Sequence, residues 1–242
     1  MPGPIIGRVR VLRIQLAGST SLILAVLLAS AVGPVESNAK PTGRAAAAIQ
    51  SGIYVQGDSL TVDSGPYLKQ FASPSTVTVD ARIGRHAYQG VALIRKKLPG
   101  LPGAVVVALG TNDDYDSVGV SLFRTHVNSI MGMLGAKRCV IWTTLYQKPK
   151  PAKRGKPRPP MVFTELNAVI DQTAKAWPNV RRVPWAEMAA ANPDWFKYDS
   201  VHPTDAGYVA RAKATVAALK RCPPWAGWPD KDDGSGGATP GT

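Results

Sequence analysis

The sequence predicts an α/β chain, a flavodoxin-like three-layer α/β/α sandwich with about five mostly parallel strands. Three observations predict it. Short β-branched runs alternate with amphipathic stretches along the chain, the pattern of parallel strands joined by crossover helices. One run, GAVVVALG at 103–110, is apolar throughout and bounded by glycines, as expected of a strand buried on both faces. The polar residues suited to chemistry fall at strand ends, and open sheets of this kind place their sites outside the carboxyl ends of their strands.

The elements follow in order. IYVQ (53–56) is a short strand, and GDS after it reads as a loop over 57–60. STVTVDARI (75–83) alternates and is β-branched, a second strand. RHAYQGVALIRKKL (85–98) places Tyr88, Val91, Ile94 and Leu98 at helical spacing. After the third strand, residues 116–134 carry Val118, Leu122, Val127, Ile130, Met131 and Leu134, a helix. RCVIWTTL (138–145) is a fourth strand, residues 162–177 a helix stopped by Pro178, and NVRRVPW (179–185) a weak fifth strand. AEMAAAN (186–192) makes a short helix and 205–222 the last one.

Residues 51–222 hold this domain, which at 45% apolar composition over 242 residues in all needs no metal or staple to bury a core. Residues 1–39 read as an export signal or an N-terminal anchor: Arg8, Arg10 and Arg13 precede LAGSTSLILAVLLASAVG, with small-residue cleavage sites ending at Ala31 and Ala39. The uncharged stretch 15–35 approaches the ~20 residues that span a bilayer, so a retained anchor is the alternative to cleavage. Residues 40–50 read as a linker and the Gly/Pro/Asp-rich 223–242 as a disordered tail. The expected location is therefore outside the cell or in its envelope. There an even cysteine count permits a Cys139–Cys222 disulfide, with two buried thiols as the alternative.

The chain carries a net charge of +13. Such a surface attracts anionic polymers in general. Part of the excess lies in a basic Pro-rich loop, 146–161, with Lys148, Lys150, Lys153, Arg154, Lys156 and Arg158. This loop leaves the fourth strand at the functional end and is expected to guide anionic polymer. A specific nucleic-acid role is disfavoured by the leader and by the lack of a reading motif.

Four segments bring together the residue types of nucleophilic acyl chemistry. GDSL offers Ser59 after the first strand, RIGR offers Gly84 after the second, GTND offers Asn112 after the third, and DSVHP offers Asp199 and His202 before the last helix. A serine hydroxyl needs a neutral imidazole to take its proton, and the imidazole needs a carboxylate to fix its tautomer. Asp199, three residues before His202, lets one loop deliver both. The backbone N–H groups of Ser59 and Gly84 and the Asn112 amide suit a developing oxyanion. Asp58, Trp195 and Phe196 are candidates for contact with substrate, with a structural role the alternative for Asp58 beside Ser59 and packing the alternative for the two aromatics. His86 and His126 read as packing or surface residues. A G-x-S-x-G elbow is absent, since Thr61 stands where its second glycine would be. Neither H-E-x-x-H nor a phosphate loop with G-K-[ST] occurs, so no metal or organic cofactor is implied.

Taken together, GDSL, the glycine of RIGR, GTND and DSVHP resemble the four blocks of the SGNH hydrolases, or GDSL-type esterases, over roughly residues 53–220. The resemblance implies Ser59 as nucleophile, His202 as base, Asp199 as its orienter, and Ser59, Gly84 and Asn112 as oxyanion donors. The stretch VDARIGRHAYQGVALIRKKLPGLPGAVVVALGTND also looks like the SGNH domains attached to acyltransferases of bacterial surface polysaccharides. An exported serine esterase acting on acyl, first of all O-acetyl, esters of an envelope polysaccharide is the expectation. An O-acyltransferase with the same triad, or a non-catalytic polysaccharide-binding module, is the alternative.

Overall fold

The computed structural model describes residues 52–113, 117–149 and 163–222. The expected leader, linker, tail and most of the basic loop lie outside the described residues.

Five strands alternate with six α-helices among those residues. The strands are β1 (Ile53–Gly57), β2 (Val77–Ala81), β3 (Ala104–Ala108), β4 (Cys139–Thr143) and β5 (Val180–Val183). The helices are α1 (Ser59–Phe71), α2 (Ala87–Lys97), α3 (Ser117–Leu134), α4 (Thr164–Ala176), α5 (Trp185–Ala191) and α6 (Asp205–Leu219). Every pairing is parallel and the order is β2-β1-β3-β4-β5. The chain reverses direction across the sheet between β1 and β3, so the carboxyl ends of those strands flank a crevice suited to a site.

β1, β3 and β4 are buried along their whole length because helices cover both faces. Side chains alternate between the two layers. Tyr54, Val105, Val107, Val140 and Trp142 pack with α2, α3 and α4, while Ile53, Val55, Val106 and Ile141 pack with α1, α5 and α6. Each such aliphatic side chain contributes roughly 1.5–3 kcal/mol by leaving water. Cys139 at the start of β4 and Cys222 after α6 form a disulfide, their Cα atoms 5.6 Å apart.

One element departs from the expectation. Residues 57–60 are not a free loop: Asp58 is the N-cap of α1 and Ser59 its first residue. The sequence hid this helix because Gly65 and Pro66 interrupt it and its apolar positions are sparse. The packing of α1 on β2 and α6 outweighs that local preference.

A polar hub organises the turn after β2. Asp80 pairs with Arg85 at 2.8 Å, accepts the Tyr54 hydroxyl at 3.1 Å and lies 3.6 Å from Lys97 Nζ. Arg85 also donates to the Asp80 carbonyl, folding the Gly84 turn back on the strand end. Burial alone would raise the Asp80 carboxyl, but the Arg85 bond and charge, the Tyr54 hydroxyl and Lys97 outweigh it and hold the group below its ordinary value. A carboxyl depressed on folding stabilises above its unfolded value, ~3.9, and loses that contribution as pH falls through the folded value. Asp80→Asn is therefore expected to unfold more readily than wild type in urea at pH 7, with the gap closing as the pH drops below the carboxylate range.

Candidate active site

Each site residue is placed by a local device. Gly57 ends β1, and a Cβ there would lie 2.0 Å from Thr61 Oγ1 and 2.3 Å from Thr61 Cβ. Only glycine lets the first turn of α1 fold directly onto the strand end. Asp58 then accepts the Leu60 N–H at 3.0 Å, a helix N-cap that fixes where the first turn begins. Ser59 stands at the first helical position, where the backbone N–H has no intrahelical acceptor and the helix dipole is positive.

On the opposite side, residues 197–202 form a tight turn. His202 O accepts Lys197 N at 2.9 Å, and Lys197 O accepts Ser200 N at 3.0 Å. Ser200 holds a left-handed φ of 67°, unusual for a non-glycine residue, and is buried. Its carbonyl accepts the Lys148 N–H at 2.9 Å, so the segment leaving β4 clasps the turn. The Lys148 ammonium donates to the Pro193 carbonyl at 2.9 Å. The other five basic residues of that loop, Lys150, Lys153, Arg154, Lys156 and Arg158, lie outside the described residues.

The two sides meet. His202 Nε2 lies 2.9 Å from Ser59 Oγ, and His202 Nδ1 lies 2.7 Å from Asp199 Oδ2. Asp199 Oδ1 accepts the backbone N–H groups of Val201 and His202, each at 2.9 Å. Burial would raise the Asp199 carboxyl, but those two N–H groups and the His202 ring outweigh it and hold it below the usual range. The carboxylate thus stays ionised and keeps the imidazole oriented with Nε2 toward the serine.

The third side is the pair of turns after β2 and β3. Asn112 Nδ2 donates to the Arg85 carbonyl at 3.2 Å, and the Asp113 carboxylate accepts the Ala87 N–H at 3.0 Å. These bonds tie the β3 turn to the turn that carries Gly84. Gly84 has φ 69°, and open space surrounds its Cβ position, so backbone conformation rather than room favours glycine there.

Of the two readings of Asp58, Trp195 and Phe196, the contacts in the structure accord with the structural one. Asp58 is 0% exposed and its Oδ1 caps α1. Trp195 stacks on Trp185 with ring centroids 6.0 Å apart. Phe196 is buried between Trp185 and Tyr146, and Phe196 bridges Pro203 through the backbone. These two aromatics pack beside the segment that carries His202. Sequence reasoning missed Arg211 of α6. It is buried, donates from Nη1 to Ser64 Oγ of α1 at 3.0 Å, and brings a positive charge toward Asp58. One turn earlier, the Tyr208 hydroxyl donates to Asp63 of α1 at 2.7 Å. The helix that begins with Ser59 and the helix that follows His202 are thus joined by two polar bonds. The signal available in the sequence was an Arg on the otherwise apolar face of the last helix.

A parallel α/β sheet with a serine at a helix start, bonded to a histidine that is bonded in turn to an aspartate, defines a serine hydrolase acting on carboxylic esters. Residues 55–210 match the GDSL-like lipase/acylhydrolase family, and the chain belongs to that family. Among curated relatives, the peptidoglycan O-acetyltransferase OatA of Listeria monocytogenes is 28% identical over 165 residues, covering 67% of this chain and 22% of that protein. The chain spans roughly a quarter of the length of the curated relatives it matches. Two solved structures share the fold. The C-terminal catalytic domain of peptidoglycan O-acetyltransferase A from Streptococcus pneumoniae superposes with a TM-score of 0.57 at 20% identity, over 71% of this chain and 94% of that one. The lipase/acylhydrolase from Enterococcus faecalis superposes with a TM-score of 0.59 at 21% identity, over 72% and 98%.

Proposed function

We propose that this chain is an exported enzyme of the cell envelope that cleaves acyl esters, O-acetyl groups of a polysaccharide first among them, by a Ser59–His202–Asp199 acyl-enzyme route. The observation that carries the reading is the continuous bond path from Asp199 through His202 to Ser59 Oγ. The names of the peptidoglycan-acting relatives support the choice of substrate.

In this reading His202 Nε2 takes the proton of Ser59 as Oγ attacks the ester carbon. The oxyanion is met by the N–H groups of Ser59 and Gly84 and by the Asn112 amide, whose second proton remains after the bond to Arg85. His202 returns its proton to the departing sugar hydroxyl. Water then enters, gives a proton to His202 and attacks the acyl-serine carbon; the Oγ–acyl bond breaks, His202 returns that proton to Ser59 Oγ, and the acid leaves. If a sugar hydroxyl takes the place of water, the same residues perform acyl transfer; the acetyltransferase names of the relatives favour keeping this second reading.

Asn112→Ala is expected to lower kcat about 100-fold, because one preorganised oxyanion donor contributes roughly 3 kcal/mol. KM for a small ester should stay within a few fold. The function as a whole is tested by acetate release from a panel of O-acetylated glycans, alongside fluorophosphonate labelling and mass spectrometry of the adduct. An adduct on Ser59 with acetate release supports the enzyme. No adduct and retained glycan binding would favour a binding module on the same fold.

A further inference from the structure

The exposed apolar side chains of this protein are not scattered. Among the described residues the exposed large hydrophobics are Val62, Ile83, Tyr88, Val118, Leu122 and Tyr198. Each lies in a turn at the carboxyl edge of the sheet or in the first two turns of a helix that starts there. None lies at the opposite end. Large apolar groups gathered, among the described residues, around one end of the sheet mark a contact region, whereas single exposed residues need no explanation.

Within this rim the aromatic rings are ordered. His86, Tyr88 and His126 form a row, with centroids 5.6 Å apart between His86 and Tyr88 and 6.3 Å between Tyr88 and His126. The row starts two residues past Gly84 and crosses from α2 to α3. Leu122 precedes His126 by one helical turn, and Val118 precedes Leu122 by another, so both share its side of α3. Ile83, 76% exposed, stands at the head of the row beside Gly84. Across the crevice Tyr198 is 99% exposed and directly precedes Asp199.

We propose that the His86–Tyr88–His126 row is the platform on which a glycan strand lies as one of its acyl groups enters the site at Ser59. The inference rests on the polysaccharide reading above and names the residues that hold the strand. Sugar rings are amphipathic: they present C–H faces to aromatic rings and hydroxyls to water, which suits an exposed tyrosine ring flanked by two partly buried imidazoles tilted 31° and 52° to it. The platform is continuous with the candidate oxyanion turn, because Asn112 holds the Arg85 carbonyl one residue before His86. Lys197, exposed beside Tyr198, and the overall positive charge favour an anionic strand over a neutral one.

The test compares two substrates in Tyr88→Ala, Tyr88→Phe and Tyr198→Ala. 4-Nitrophenyl acetate carries no sugar to lie on the row, and a soluble O-acetylated glycan fragment carries several. Tyr88→Ala is expected to lower kcat/KM for the glycan about tenfold, mostly through KM, and to leave the small ester within twofold. Tyr88→Phe, which keeps the ring, should match wild type, and Tyr198→Ala should show a smaller loss of the same kind. Equal losses on both substrates, or none on the glycan, would overturn the platform while leaving the enzyme reading intact. A wild type that hydrolyses the small ester yet neither binds nor turns over any glycan would sink the polysaccharide reading and the platform with it. Tyr88-dependent flotation with anionic vesicles, or Tyr88-dependent self-association in sedimentation, without glycan binding, would assign the rim to lipid or to a second copy instead.

Discussion

Ser59→Ala and His202→Ala are each expected to lower kcat for acyl-ester hydrolysis by ~10⁴–10⁶-fold, and the double variant by no more than either alone. The reason is that the two groups act in one step. Without the imidazole the hydroxyl keeps its proton, and without the hydroxyl the imidazole has nothing to activate in the same place. Asp199→Asn should cost about 10⁴-fold, because an amide no longer enforces the ring orientation seen at 2.7 Å from Nδ1. Steady-state kinetics with a small acetyl ester measures all four, and circular dichroism checks that each variant is folded. Additive losses in the double variant would mean that Ser59 and His202 do not act together, and the proposed mechanism would fall.

Arg211→Met is expected to destabilise the fold by about 3–5 kcal/mol, on the order of 10 °C in melting temperature for a domain of this size. Arg211 is buried, and so is Asp58, whose carboxylate caps the helix bearing Ser59. Burial pushes the Asp58 carboxyl up, against the pull of the Arg211 charge. Burial likewise pulls the Arg211 guanidinium down, against the charge of Asp58. Methionine fills similar volume but leaves the carboxylate without its counter-charge. The sign of the pH effect follows. A carboxyl raised on folding penalises the folded state most above its folded value, and the penalty is relieved as pH falls and the group takes up a proton. The deficit of Arg211→Met should therefore be largest at neutral pH and shrink toward acid. Asp58→Asn in the same chain should recover part of it. Urea unfolding at several pH values measures both; a deficit independent of pH and unaffected by Asp58→Asn would mean that only packing is lost.

The sheet and the candidate site were legible in the sequence for different reasons. β3 and β4 are continuous apolar runs because both their faces are covered, and that pattern survives without knowledge of neighbours. Ser59, Asn112, Asp199 and His202 were legible because a required chemistry restricts residue type at strand ends. What could not be read depends on partners distant along the chain. The helix after Ser59 contains Pro66 and Gly65 and forms because α6 and β2 pack against it. Asp58 beside Ser59 read as either structural or a substrate contact, and only the fold shows its Oδ1 capping α1. For Trp195 and Phe196 the sequence left wall and packing open, and it takes the fold to bring them against Trp185 and Tyr146. The aromatic row was invisible for the same reason, since Tyr88 and His126 are 38 positions apart and meet only when α2 and α3 pack together.

The bridge between Cys139 and Cys222 ties off an 83-residue stretch of backbone. The Lys/Arg-rich run and the turn bearing His202 both fall inside that stretch. A protease that clips the chain anywhere within it yields two pieces that remain one molecule until a reductant is added. A trypsin-like enzyme cutting there would therefore leave a nicked protein whose halves stay together, separating on a gel only after thiol treatment.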